Sequence, residues 1–131
     1  MQYSVAVNNT RLDSIETAIG VSAILRIRTG AAPANCAAAD TGTVLSTLTL
    51  PSDWMLAAAA ASKAKSGTWV DSLADATGTA AHFRVYDSGG TVCHIQGTYG
   101  TSGTEMIGDS ASFTINQSFT INTFTLNAGN Q

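Results

Sequence analysis

Four side chains have the softness to bind a transition metal or act as nucleophile or base: Cys36, Cys93, His82 and His94. A tetrahedral site needs three or four ligands, and structural sites usually carry close pairs such as Cys-x-x-Cys or His-x-x-x-His. Neither spacing occurs. Strand alternation puts Cys93 inward and its neighbour His94 outward, so the two do not share a site. Acyl transfer would need a Ser or Cys beside a His and an orienting acid. Serines are plentiful, but no Gly-x-Ser-x-Gly elbow is present. His82 and His94 fall with Arg84 on one polar strand face, which reads as a solvated or subunit-facing ladder. Asp71 and Asp75 are close in sequence, yet their context is a turn and not the two walls of a glycosidase cleft. No glycine-rich loop leads into a helix to cradle phosphate. No catalytic residue, metal ligand set or cofactor-binding residue is assigned, and the chain reads as a non-enzyme. Trp54 and Trp69 could stack on sugars, but a Trp in a small sandwich more often anchors a core or an interface.

The elements that hold these residues come from composition and pattern. The 131 residues fit one domain, and 44% are apolar, enough for a two-layer core. Only 11% are charged, with six basic against nine acidic residues and a net charge of −3. Typical domains carry about a quarter. Thr, Ser, Ala, Gly and Asn replace the charges, giving a neutral polar surface suited to coverage by other subunits. The basic residues are scattered, which argues against nucleic acid as a partner. No apolar run is long enough to cross a membrane as a helix. Met1 to Asn9 lacks the pattern of a secretory signal, so synthesis in the cytoplasm without export by that route is expected. Two cysteines are too few for a disulfide framework and are expected to stay reduced.

Residues 2–7 alternate and read as an arm or edge strand. Asn8 or Asn9 is then a candidate N-cap for one helix over 9–19, with Leu12, Ile15 and Ile19 on one stripe and Gly20 as its stop. Residues 1–20 form this arm and helix, and 21–131 form the β domain. A strand from Val21 buries Ala23, Leu25 and Ile27. Residues 30–42 are a long Ala-rich loop. Thr43 to Leu50 is the next strand, ended by Pro51. Residues 55–65 suit either a helix capped by Ser52 or Asp53, or a loop. Gly67 to Asp71 is a short strand centred on Trp69.

Residues 81–86 and 92–97 form a hairpin with a three-residue Ser88-Gly89-Gly90 loop. Phe83 then pairs with Ile95, Val85 with Cys93 and Arg84 with His94. Glu105 to Ile107 is a further short strand. The chain closes on three copies of one phrase, Ser112-Phe-Thr-Ile-Asn116, Ser118-Phe-Thr-Ile-Asn122 and Thr123-Phe-Thr-Leu-Asn127. The five-residue step between the last two flips the face, which predicts a bulge or sheet switch between Ile121 and Phe124. Phe119 and Ile121 then lie on one face and Phe124 and Leu126 on the other, so the strand is expected to serve two apolar surfaces. About eight short strands with Gly- and Ser-rich turns predict a mainly β protein, a β-sandwich of jelly-roll or related topology with one short N-terminal α-helix.

The segments Leu12-Asp-Ser-Ile-Glu-Thr-Ala-Ile-Gly20, Leu25-Arg-Ile-Arg-Thr-Gly-Ala-Ala-Pro-Ala34 and Leu48-Thr-Leu-Pro-Ser-Asp-Trp54 occur in that order. Gly67-Thr-Trp69, Ala81-His-Phe-Arg84 and Phe119-Thr-Ile-Asn-Thr-Phe-Thr-Leu126 follow. Together they resemble a family of small virion structural proteins of tailed bacteriophages and prophages, over most of the chain. The resemblance implies a capsid decoration (cement) protein or a related head or tail component, located on the capsid surface. Its partners would be the major capsid protein and further copies of itself, as a dimer or trimer. A receptor- or carbohydrate-binding module on a tail or fibre is the alternative, and a small hydrolase a distant third. Leu12, Ile15, Ile19, Tyr3 and Trp54 are the candidate interface residues, with the Ala-rich segments 31–39 and 57–61 as a second contact.

Overall fold

The computed structural model describes residues 1–129. It is mainly β, with one helix, α1 (Val5–Ile19), and nine strands: β1 (Ile24–Thr29), β2 (Val44–Thr49), β3 (Ser62–Ala64), β4 (Trp69–Asp71), β5 (Gly78–Tyr86), β6 (Cys93–Gly100), β7 (Met106–Gly108), β8 (Ser112–Phe113) and β9 (Phe119–Asn127). The strands join in the order β2-β1-β5-β6-β7-β9-β3, with β4 also on β9 and β8 on β5. All the pairings are antiparallel except β6–β7, which is parallel over Tyr99/Met106 and Gly100/Ile107. The sheet curls on itself. β5 and β9 lie three places apart in it, yet Phe83 and Phe124 meet edge to face at 5.5 Å. The far margins also meet, because the Ser46 hydroxyl of β2 donates to Asp71 of β4.

The enclosed core contains Leu25, Ile27, Leu45, Trp54, Trp69, Phe83, Val85, Phe113, Phe119, Ile121 and Phe124, all buried. Ala23, Leu25 and Ile27 line it as their alternation predicts. Trp54, Trp69 and Phe124 form a chain of tilted rings with centroids 6.2 and 5.8 Å apart.

The helix is longer than its apolar stripe indicates. Residues 5–7 are its first turn and not a strand, and Ser4 caps it, its hydroxyl accepting the Val7 N–H at 3.3 Å. Asn8 is a buried interior helix residue rather than the cap. Gly20, at φ +91°, ends the helix as predicted, its N–H donating to Glu16 O. Tertiary contacts override the poor helix propensity of Val5 and Val7.

Residues 55–65 are neither helix nor loop but a narrow hairpin. Ala59 and Ser62 exchange two backbone hydrogen bonds of 2.9 Å. Between them, Ala60 and Ala61 both take positive φ, 50° and 57°. This is the backbone of a two-residue hairpin turn, without the Asn or Gly that usually announces one.

The β5–β6 register also differs from the predicted one. Phe83 faces Gly97, Arg84 faces Gln96 and Val85 faces Ile95; a bulge then sets Tyr86 against Cys93. The Asp87 carboxylate causes the change by accepting the Thr91 and Val92 N–H groups at 2.9 and 3.0 Å, which lengthens the loop. The glycine at 97 is required by close packing: a Cβ there would sit 2.9 Å from Phe83 Cε1.

The predicted bulge between Ile121 and Phe124 is present. Against β7, Ile121 pairs with Gly108 and Thr123 with Ile107, leaving Asn122 as the extra residue. That extra residue returns Phe124 to the core that holds Phe119 and Ile121, so β9 serves one apolar surface and not two. The first copy of the phrase stands apart as β8, paired with β5.

Candidate functional site

The densest polar chemistry lies on the outer face of β1, β5 and β6, under the Ala-rich loop. Alternation places Arg28, His82, Arg84, Tyr86 and Gln96 on that face, the β5–β6 bulge adds Cys93, and cross-strand pairing makes Arg28 a neighbour of His82 and Arg84 a neighbour of Gln96. The face is not a solvated ladder. Residues 30–42 fold over it, and Arg28, His82, Arg84 and Tyr86 are buried.

Arg84 holds the loop from below. Its guanidinium donates to Cys36 O at 2.7 Å, to Ala38 O at 3.2 Å and to the Asp40 carboxylate. Arg28 reaches the other oxygen of Asp40 at 2.6 Å and the carbonyls of Thr41 and Gly42 at 3.3 Å. The Tyr86 hydroxyl donates to Asp40 at 2.7 Å. His82 Nδ1 lies 2.7 Å from Gly30 O, which assigns the proton to Nδ1, and Gln96 Nε2 donates to Pro33 O. The Ala-rich loop therefore has its carbonyls satisfied by side chains of the sheet below it.

The electrostatics follow this geometry. Burial pushes the Asp40 carboxyl up, but the Tyr86 hydroxyl and the two guanidinium charges outweigh it and hold the group below the ordinary carboxylate value. Burial, helped by the hydrogen bond to Asp40, raises Tyr86. Burial disfavours the Arg84 cation, yet the contacts with Cys93, Tyr86 and Asp40 raise it overall. Asp40 is a fixed anion between two fixed cations, an arrangement that clamps a loop.

Cys93 belongs to this site and not to the core. The β5–β6 bulge swings it beside Arg84, whose Nε donates to Cys93 Sγ at 3.1 Å. There it lies on the same guanidinium as Cys36 of the loop, whose carbonyl accepts from Arg84 Nη2 at 2.7 Å. Both line a hollow of about 310 Å³ with Asp40, Arg84 and Tyr86. His94 is exposed outside this cluster, so the two histidines do not converge. Among the described residues, no group of three or more His, Cys, Asp or Glu is placed to hold a metal.

The second polar device joins α1 to the sheet margin. Asn9, Asp13 and Glu16 share a helix face and accept the N–H groups of Ala61, Ala58 and Met55 at 2.9, 2.9 and 3.0 Å. Lys63 is buried against the same acids, its ammonium 2.8 Å from Asp13 and 2.9 Å from Glu16. Lys63 and the Ala58 N–H hold Asp13 below its usual value. Burial disfavours the Lys63 cation, but the two carboxylates raise it overall. The helix thus covers an otherwise open strand edge. Leu12 and Ile19 on its other face enter the core, and Ile15 packs partly against it.

Of the residues proposed for an interface, Leu12, Ile19 and Trp54 are used inside the chain. Trp54 Nε1 donates to Gly20 O at 3.0 Å, tying the helix end to the core. Trp54 and Trp69 are both buried, which removes them as sugar platforms. Tyr3 stays on the surface, with the Arg11 guanidinium 5.0 Å from its ring centre. Met1, Val5 and Val7, its neighbours in the sequence, are exposed as well. The apolar character of residues 1–7 was visible in the sequence; their place on an exposed helix start was not.

No described helix is long and apolar enough to cross a membrane. Comparison with protein-family models, curated proteins and solved structures finds no match to this chain.

Proposed function

We propose that this chain is a non-enzymatic virion structural protein, a capsid decoration protein that binds the outer face of a shell built from a major capsid protein. The observation that carries this reading is the apolar start of the chain. Tyr3, Val5 and Val7 are 40, 47 and 44% exposed, with Met1 beside them. The polar groups of the loop clamp and the helix face, in contrast, are spent on internal contacts. An apolar exposed end on a weakly charged body suits burial against a subunit surface. The phrases that resemble phage virion proteins support the same reading, and the burial of both tryptophans disfavours the carbohydrate-binding alternative.

The test is sedimentation of purified protein with assembled shells of a phage major capsid protein. Val5→Asp and Val7→Asp place a carboxylate in a first helical turn that has no acidic residue, where the helix dipole favours it. Both variants should therefore keep the fold and lose binding by about tenfold or more, as burying an unpaired charge requires. Binding unchanged in both would overturn the reading.

A further inference from the structure

We infer that Cys36 and Cys93 form a redox staple: oxidation joins them as a disulfide that fastens the Ala-rich loop to β6. The two residues come from distant parts of the chain, yet they line the same small hollow. One arginine fixes both. Arg84 donates through Nη2 to the Cys36 carbonyl at 2.7 Å and through Nε to the Cys93 sulfur at 3.1 Å. Arg84 is itself buried and locked to Asp40, so the Cys36 backbone and the Cys93 sulfur are held to one fixed group. Both cysteines are only half-buried, so a small oxidant can reach them.

The chemistry balances with a small-molecule disulfide, such as oxidised glutathione, as oxidant. The Cys36 thiolate attacks one glutathione sulfur and releases the other as a thiol, leaving a mixed disulfide. Cys93 loses its proton to solvent and attacks the Cys36 sulfur, releasing the second glutathione. Two protein thiols become one disulfide, and two electrons reduce one oxidised glutathione to two thiols. Burial, and then the interaction with Cys36, raise the Cys93 thiol to about 11. The resolving step is therefore slow at neutral pH and quickens as pH rises. This inference rests on the loop geometry and is independent of the proposed function.

The experiment incubates the full chain with oxidised and reduced glutathione in varied ratio, folded and in denaturant, then reads intact mass and peptide linkage after acid quenching. The expected product loses two hydrogens, links the Cys36 and Cys93 peptides, and forms at least about tenfold more readily in the folded chain, because the fold holds the thiols together. Its thermal midpoint should rise by roughly 10 °C, and the loop should resist proteolysis better than in the reduced chain. Cys36→Ser should stop at a single glutathione adduct with no gain in midpoint. A wild-type chain that accumulates glutathione adducts, keeps two free thiols, or links no more readily folded than unfolded would overturn the inference.

Discussion

The Asp40 carboxylate bridges Arg28 and Arg84, one guanidinium on each of its oxygens. The relationship is asymmetric: the arginine side chains are 8 and 1% exposed, whereas that of Asp40 is 35% exposed. Removing the anion strands two buried cations, while removing one cation leaves a carboxylate that still reaches water and a second arginine.

Asp40→Asn should therefore cost about 3 kcal/mol in a denaturant titration, the scale of breaking a buried pair from one side. Arg28→Met should cost less. Acid probes the same clamp. The folded Asp40 lies below its ordinary value of 3.8, so its contribution is complete above that pH and is lost as pH falls through the folded value. Stability should decline below about pH 4, and the decline should be shallower in Asp40→Asn. Equal losses in the two variants, or identical acid profiles, would show that the clamp does not hold the loop.

The pair Asp13 and Lys63 should behave as a coupled unit. Asp13→Ala frees the Ala58 N–H and leaves Lys63, only 3% exposed, with Glu16 as its remaining acid. A measurable loss of stability is expected, and Lys63→Met in the same chain should recover part of it. The measurement is a double-mutant cycle by chemical unfolding. Strict additivity would mean that the helix is held by its apolar face alone.

Ala60 is exposed and sits at φ +50° in the narrow hairpin. An alanine in the left-handed region is strained by roughly 1 kcal/mol, which glycine avoids. Ala60→Gly should raise stability by several tenths of a kcal/mol to about 1 kcal/mol, despite glycine's greater freedom when unfolded. Calorimetry showing a lower midpoint would contradict the turn geometry.

Much of the β architecture was legible because alternation is a local signal. Leu25 and Ile27, the stop at Gly20 and the bulge before Phe124 all follow from spacing and parity. The candidate site was not legible, for two physical reasons. Its cover is a loop with no periodicity, so nothing in Ala31 to Ala39 announces that it lies on Arg28 and Arg84. Its register depends on the Asp87 carboxylate lengthening a turn, and that slip moved Cys93 from the core to the loop. Asp40, between the two arginines, had no local signal at all. The helix start was hidden in the same way: Val5-Ala6-Val7 carries a strand pattern, and the acceptors Asn9, Asp13 and Glu16 find their partners 52, 45 and 39 residues later. An i, i+4, i+7 spacing of polar acceptors on a helix otherwise lined with leucine and isoleucine was the available hint.

The role proposed for this chain makes it a stoichiometric component of a virion head. The most direct measurement separates heads from tails of the phage or prophage encoding it on a density gradient and quantifies this chain by mass spectrometry in each fraction. The chain is expected with genome-filled heads, in fixed ratio to the major capsid protein, and is expected to be released when Val7 is changed to Asp. Recovery with tails alone, or only in the soluble fraction, would contradict it.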